Sequence, residues 1–580
     1  MEPPPTNPAA RIRGRAVVAW LALVLAVAVV YHGIGRHRFV NFDDPVYLFE
    51  NGHVTPGLTA DGVVWAFTNK ETGLWQPSVW IAHMLVSELA GMQPAPHLMT
   101  NLLLHALNAG LLFLLLRTLT GVTGRSFVVA LLFAVHPANV EAVAWASQLK
   151  STLSTAFFLF GLLAYAREAR RGGGVSFVAL LALLLSLLAK PMLVSFPLLL
   201  VLMDFWPLQR LPAERGRMAG AAWGRWLVGK LPFVLLVGVI AILTVVPWDL
   251  SPEMPVVHGP EWARVAALPL NYLSYVGCFF WPAGLAVLYP ERLDYPPLVE
   301  VGALLLMLVI SAVVWRRRKP QPALLVGWSW FLITLVPVSG IVQLGPHGLA
   351  DRYLYVPGIG LLIAAVWLVA DALAGQWRGW QPVLAGFAVM ISGGLAHRQV
   401  SYWENSLTLW QHAAAVTRPS YVRHVNLGNA LLEAGREPEA EAEFVAAINL
   451  QGNNPRPYVN LAVIAQRRGD LAKAVALLRQ ARALAPADAR IYSNLGSLLD
   501  DRGEKTEARA LLEKAVRLRP DLLEARINLG VLLARAGNLD EALANFETAA
   551  RLKPGDPAVM RNLQLVRQQL AARQPKLIRD

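Results

Sequence analysis

Long apolar runs separated by short polar or basic clusters dominate residues 1–400. The runs cover residues 16–34, 98–116, 127–135, 152–166, 176–189, 192–205, 231–246, 298–315, 324–337, 353–370 and 382–395. A spanning helix needs roughly 20 apolar residues, and every run except 127–135 is long enough to cross a bilayer or nearly so. The pattern predicts an all-α polytopic transmembrane bundle of about eleven spans. Arg117/Arg125, Arg167/Arg170/Arg171, the stretch from Arg210 to Lys230 and the stretch from Arg316 to Lys319 then share one side, the cytoplasmic one by the positive-inside rule. The N-terminus is expected on that side as well. The loop 35–97 and everything after residue 395 are expected to be extracytoplasmic. Arg11, Arg13 and Arg15 precede the first run, which lacks a small-residue cleavage site and reads as a retained span rather than a signal peptide. Residues 263–288 are apolar enough to cross, but a crossing there would carry Arg316–Lys319 outside. Pro269, Tyr272, Tyr275, Trp281 and Pro282 suit a re-entrant or interfacial helix instead; if it spans, the tail changes sides.

Beyond residue 423 the pattern turns polar and repeats every 34 residues. Asn426-Leu427-Gly428, Asn460-Leu461-Ala462, Asn494-Leu495-Gly496 and Asn528-Leu529-Gly530 open successive blocks. Gly435, Gly469, Gly503 and Gly537 follow, then Ala440, Ala474, Ala508 and Ala542, with Pro486, Pro520 and Pro554 ending the second helices. This is the tetratricopeptide pattern, which predicts an α-solenoid. The division expected is a transmembrane domain 1–400, with its first extracytoplasmic loop at 35–97, and a connecting helix 401–422. Four repeats at 423–558 and a capping helix with tail at 559–580 complete it.

The composition agrees with a membrane protein: 55% hydrophobic, 16% charged and 19 tryptophans among 580 residues. The single cysteine, Cys278, excludes an intrachain disulfide and a cysteine-based zinc or redox site. The net charge of +13 gathers in the clusters flanking apolar runs, so it reports topology rather than a nucleic-acid partner.

The chemistry must therefore come from carboxylates, His, Lys and Arg. Asp43 and Asp44, in Asn41-Phe42-Asp43-Asp44-Pro45, stand directly after the first apolar run. Charges at a membrane boundary are costly unless solvated, paired or used. A turn or helix cap is the plain reading. A general base with a partner that orients a substrate is the functional one, and the sequence does not say which aspartate is which. His97, Asn101, His105 and Asn108 share one helical face and point into the bundle, either to hydrogen-bond neighbouring helices or to touch substrate. His136 and Glu141 do not share a helix face and flank Pro137, a poor metal motif and a candidate polar cluster at a cavity rim, with Lys150 beginning the next run. Lys190 ends the fifth run, and Asp351-Arg352-Tyr353-Leu354-Tyr355 opens the tenth. On this topology both cations share the side of Asp43 and Asp44, where Lys and Arg can neutralise a phosphate; interfacial snorkelling is their alternative use.

Several stretches together resemble the transmembrane and tetratricopeptide-repeat (TMTC) protein O-mannosyltransferases and their bacterial relatives, within the GT-C glycosyltransferase superfamily. They are Phe42-Asp43-Asp44, Asn51 with 57–67, Pro96-His97 through Asn101 and His105, His136-Pro137 with Glu141-Ala142-Val143, Arg352-Tyr353-Leu354-Tyr355-Val356-Pro357, and the repeats. The resemblance implies a GT-C-like bundle in which a polyprenyl- or dolichyl-phosphate sugar donates to Ser or Thr of an extracytoplasmic protein. It places an acidic residue of the first loop, Asp43 or Asp44, at the active site. Lys190 and Arg352 become candidates for the donor phosphate, and Tyr353, Tyr355, His97, Asn101, His105, His136, Glu141 and Lys150 for its surroundings. No metal or other cofactor is expected, because protein cations can stabilise a leaving monophosphate. The partners expected are membrane lipid, the lipid-linked sugar and an acceptor or partner protein on the repeats. The chain departs from the animal proteins at Lys190-Pro191, where they carry an acidic residue, and at Lys150-Ser151. Two other functions compete: a non-catalytic scaffold that anchors a solenoid in the envelope, and sugar transfer to a lipid or glycan. Eleven spans exceed what an anchor needs, and solenoid grooves suit polypeptides.

Overall fold

The computed structural model describes residues 8–69, 75–212, 219–245, 261–292, 294–340, 347–553 and 555–577. Residues 213–218 of the basic loop, Val246 and Pro554 lie outside the described residues. The chain divides into two compact units, Met1–Arg418 and Pro419–Asp580.

The described residues of the first unit are mostly helical. Five described helices are long and apolar enough to cross a membrane: Pro94–Thr120, Ala146–Arg170, Ala222–Thr244, Pro297–Arg316 and Trp380–Ser401. A sixth candidate is a broken pair, Thr123–Val135 and Pro137–Ala144, bent by 56°. Shorter apolar helices run over Ala16–Val30, Phe177–Ala189, Leu193–Phe205, Pro322–Val338 and Pro357–Ala372. The helix Glu261–Phe280, with Pro269 inside it, is in neither set.

Proline decides where several helices begin. Pro94, Pro297, Pro322 and Pro357 each occupy a first helical position, where the missing N–H costs nothing and φ is already helical. The apolar run expected to turn helical at 353 therefore does so at Pro357, and Asp351–Leu354 form a separate 3₁₀ turn ahead of it. Helices Pro322–Leu335 and Pro357–Ala372 press together at Gly327 and Gly360. A Cβ on either would lie 2.4 Å from the other's carbonyl oxygen. Such contact between small residues replaces the hydrophobic drive that lipid does not supply. One element departs from the all-α expectation: Tyr289–Pro290 and His347–Leu349 pair antiparallel. This short ladder leads directly into the Asp351 turn.

The second unit is a row of helical hairpins: Tyr421–Glu433 with Glu437–Leu450, Arg456–Arg467 with Leu471–Leu484, Ala489–Asp501 with Lys505–Leu518, and Leu523–Arg535 with Leu539–Leu552. Pro557–Leu577 closes the row. Gly435, Gly469, Gly503 and Gly537 turn each hairpin with φ between 75° and 84°, a region that side chains disfavour. Ala440, Ala474, Ala508 and Ala542 are fully buried, and Gly428, Gly496 and Gly530 abut Phe444, Leu512 and Phe546. Small residues at these points let each hairpin close, and neighbouring repeats then share one core.

Candidate active site

The chain between the broken pair and the next long helix builds the centre of the site. Pro137 stops the helix ending at Val135, and a 3₁₀ turn (Pro137–Asn139), a short helix (Val140–Ala144) and a second turn (Ala146–Gln148) follow. Every residue from Ala134 to Thr152 is buried, including Glu141, Ser147, Gln148, Lys150 and Ser151. Buried polar groups must find partners, and most find them in the first loop and in the Asp351 turn.

The two adjacent aspartates have different surroundings. Asp44 is 1% exposed. Its Oδ2 accepts from the Val40 N–H at 2.9 Å, and its Oδ1 accepts from the Ser147 N–H at 3.0 Å and from the Ser147 hydroxyl. Burial pushes its carboxyl up to about 6, against the pull of these hydrogen bonds. Asp44 therefore ties the first loop to the buried connection. The Asp43 side chain is 35% exposed, and its Oδ2 lies 3.5 Å from Lys150 Nζ.

Around the two aspartates the structure gathers three basic side chains and one further carboxylate. Lys150 Nζ sits 4.1 Å from the centre of the Tyr47 ring. Arg352 lies against Glu141, which accepts from its guanidinium at 2.5 Å and from its backbone N–H at 2.8 Å. Lys190 Nζ donates to the Ser151 hydroxyl at 2.9 Å and faces the Tyr353 ring. Lys150, Lys190 and Arg352 are close enough to repel one another, with Asp43 and Glu141 as the neighbouring negative charges. Asp351 points elsewhere: it accepts from the Tyr289 hydroxyl at 2.8 Å, and burial and the nearby Glu141 raise its carboxyl well above the usual range.

Other sequence candidates serve the frame. His97 Nδ1 faces His83 Nδ1 at 3.2 Å. Asn101 donates to the Trp145 carbonyl at 2.8 Å and accepts from Thr152. His105 bonds the Tyr355 hydroxyl at 2.7 Å and the Ala134 carbonyl at 3.0 Å, and Asn108 donates to the Thr152 carbonyl and to Tyr355. The stripe thus makes helix-to-helix hydrogen bonds, and Tyr355 is occupied with it rather than with the cations. His136 caps the Pro137 turn by accepting from the Ala138 N–H and stacks on Phe279 at 4.1 Å. Neither His136 nor Glu141 forms a rim: both are buried, and Glu141 is interior and paired.

Sequence reasoning missed Tyr47, Ser147 and Gln148. The Ser151 hydroxyl, which accepts from Lys190, donates to Gln148 Oε1 at 2.8 Å. With Oε1 engaged there, Gln148 Nε2 is buried with no hydrogen-bond partner among the described residues. A polar run between apolar stretches, Ser147-Gln148-Leu149-Lys150-Ser151, was the available signal.

Tetratricopeptide-repeat family profiles match residues 422–444, 453–521 and 494–557. Protein O-mannosyl-transferase Tmtc1 of Drosophila melanogaster is 23% identical over 73% of this chain and 60% of its own length. Protein O-mannosyl-transferase TMTC1 of Homo sapiens is 24% identical over 78% of this chain and 57% of its own. Among solved structures, YrrB, a TPR protein with an unusual peptide-binding site, is 22% identical over 28% of this chain and 84% of its own, with a TM-score of 0.24. The chain spans about 44 to 62% of the length of the curated relatives it matches. Apolar helices fit to cross a membrane are thus followed by a tetratricopeptide-repeat C-terminal region, and over most of its length the chain is similar to the TMTC protein O-mannosyl-transferases.

Proposed function

We propose that the chain is a membrane glycosyltransferase that moves a sugar from a polyprenyl- or dolichyl-phosphate donor to Ser or Thr of extracytoplasmic proteins. The observation that carries this reading is the half-buried Asp43 carboxylate 3.5 Å from Lys150, beside Lys190 and Arg352. The names of the relatives support it. In this reading Asp43 is the base, because it keeps an oxygen open to an incoming group, whereas both Asp44 oxygens are engaged in the fold.

Asp43 takes the proton of the acceptor hydroxyl as the hydroxyl oxygen attacks the anomeric carbon. The bond from that carbon to the phosphate oxygen breaks, and the lipid monophosphate leaves with the bonding pair. Lys190, Lys150 and Arg352 stabilise the charge that develops, and the Gln148 amide adds a neutral donor. Glu141 holds the Arg352 guanidinium in place. No metal is assigned a step, since the cation cluster supplies the charge. The site and the repeats share the extracytoplasmic side in this reading, and the repeats carry the acceptor or a partner protein.

Reconstitution of the full chain with dolichyl-phosphate mannose and Ser/Thr-rich acceptor peptides tests this, read by mass spectrometry of the peptides. Sugar transfer lost in Asp43→Asn is the expected result. Transfer undiminished in Asp43→Asn would remove the base assignment, and no transfer with any lipid-phosphate sugar would favour the scaffold.

A further inference from the structure

The helix Ser406–Val416 lies within the first unit, between the last long apolar helix and the first repeat. Its start is fixed by a reciprocal cap: Asn405 Oδ1 accepts from the Thr408 N–H, and the Thr408 hydroxyl accepts from the Asn405 N–H. Leu409, Trp410 and Ala413 are buried by it. A segment serving only as a tether would not need this degree of burial.

What it packs against is the loop that carries Asp43. The Arg38 N–H donates to the Glu404 carbonyl at 2.9 Å, and the Asn41 N–H donates to the Ser406 hydroxyl at 2.9 Å. The Phe42 ring meets Trp410 edge-on at 5.4 Å and stacks on Trp145, also at 5.4 Å. Trp145 in turn lies 5.5 Å from Trp403. Phe42 is thus gripped on two sides, and the next residue in the chain is Asp43. The indole N–H groups of Trp403 and Trp410 have no hydrogen-bond partner among the described residues, so the rings act through shape.

We propose that Ser406 and Trp410 are positioning residues: the junction helix sets the place of Asn41 and Phe42, and through them the distance from the Asp43 carboxylate to Lys150. The inference rests on the assignment of Asp43 as base. A base displaced by an ångström loses rate far more than affinity.

The test uses the full chain in lipid nanodiscs with Ser406→Ala, Trp410→Ala and Trp410→Phe. Hydrogen–deuterium exchange is followed in peptides covering residues 38–44, and kcat and donor KM are measured with dolichyl-phosphate mannose. Ser406→Ala is expected to raise exchange in that segment by about fivefold for the loss of one hydrogen bond, and Trp410→Ala is expected to raise it through the packing lost from Phe42. They are expected to cut kcat by about tenfold or more with donor KM little changed. Trp410→Phe, which keeps an aromatic ring, should match the wild type in both. Unchanged exchange, or raised exchange with full kcat, overturns the proposal, as does a Trp410→Phe variant as poor as Trp410→Ala. If Trp410→Ala does not fold, the other two variants decide. A wild-type chain that transfers no sugar sinks the transferase reading instead, and the exchange result then decides alone whether the helix fixes the loop.

Discussion

Glu141 grips Arg352 twice, at the guanidinium and at the backbone N–H, so one carboxylate sets both the charge and the chain path of the Asp351 turn. These residues are separated by 211 positions in sequence. Both are buried, which makes the pair costly to break from one side only.

That asymmetry gives the first prediction. Glu141→Gln removes the negative charge set against a buried guanidinium and should destabilise the protein by roughly 3 to 5 kcal/mol. The double variant Glu141→Leu with Arg352→Met should recover much of the thermal stability while transferring no sugar. Thermal unfolding of the purified variants, read beside transfer, checks it. Recovery of transfer in the double variant would exclude Arg352 from the phosphate site.

The two aspartates should separate cleanly. Asp43→Asn should cut transfer by about 10² to 10⁴, the usual range for a general base, with little change in unfolding temperature. In Asp44→Asn the new amide must set a donor against either the Val40 or the Ser147 N–H. That leaves a buried donor unsatisfied at a cost of roughly 1–3 kcal/mol. Unfolding temperature and activity measured on both variants distinguish the roles, and a stable, inactive Asp44→Asn would reverse them.

Asp44 also predicts a pH dependence of stability. Its folded carboxyl titrates at about 6, above the ordinary value of 3.8. Between those values the folded state binds more protons than the unfolded chain, so this group's contribution is full below 3.8 and is lost as pH rises through about 6. Unfolding temperatures across pH 4 to 7 should show that decline, and its slope should flatten in Asp44→Asn.

Gln148→Glu places a negative charge against the Ser151 hydroxyl that Lys190 contacts, where the native side chain offers an N–H donor. The donor KM should rise by about tenfold or more, since a hydrogen bond to a charged group is worth roughly 1.5–3 kcal/mol. Inhibition by polyprenyl monophosphate should weaken in parallel, and inhibition by the uncharged polyprenol should not change. Equal inhibition by the monophosphate in variant and wild type would place Gln148 outside the phosphate site.

In the repeats, Gly496→Val would drive a Cβ to 2.7 Å from Leu512 and 3.1 Å from the Ala508 carbonyl oxygen. Overpacking of this kind costs typically about 1–3 kcal/mol. The loss of stability should be confined to the repeat unit, seen as faster hydrogen exchange in residues 489–518 with residues 94–170 unchanged.

The repeats were legible in the sequence almost residue by residue. A period of 34 with Gly and Ala at fixed offsets leaves one solution for hairpins that must stack, and those residues occupy the hairpin turns and the closest helix contacts. The sequence also marked the apolar helices, because a run of apolar residues is a local property that length and composition report directly. Even Asp43, Asp44, Lys150, Lys190 and Arg352 stood out, since each is a charge beside an apolar stretch.

Their partners were decided by tertiary structure alone. Nothing local pairs Glu141 with Arg352, gives Ser147 to Asp44 or leaves Asp43 open beside Lys150, because those distances follow from how a broken helix folds back between its neighbours. The polar stripe at His97, Asn101 and His105 has the same residue types as a substrate site, and only the positions of the Trp145 and Ala134 carbonyls and of His83 show what it binds. A local pattern fixes which face of a helix is polar. What that face meets depends on chain segments far away in sequence.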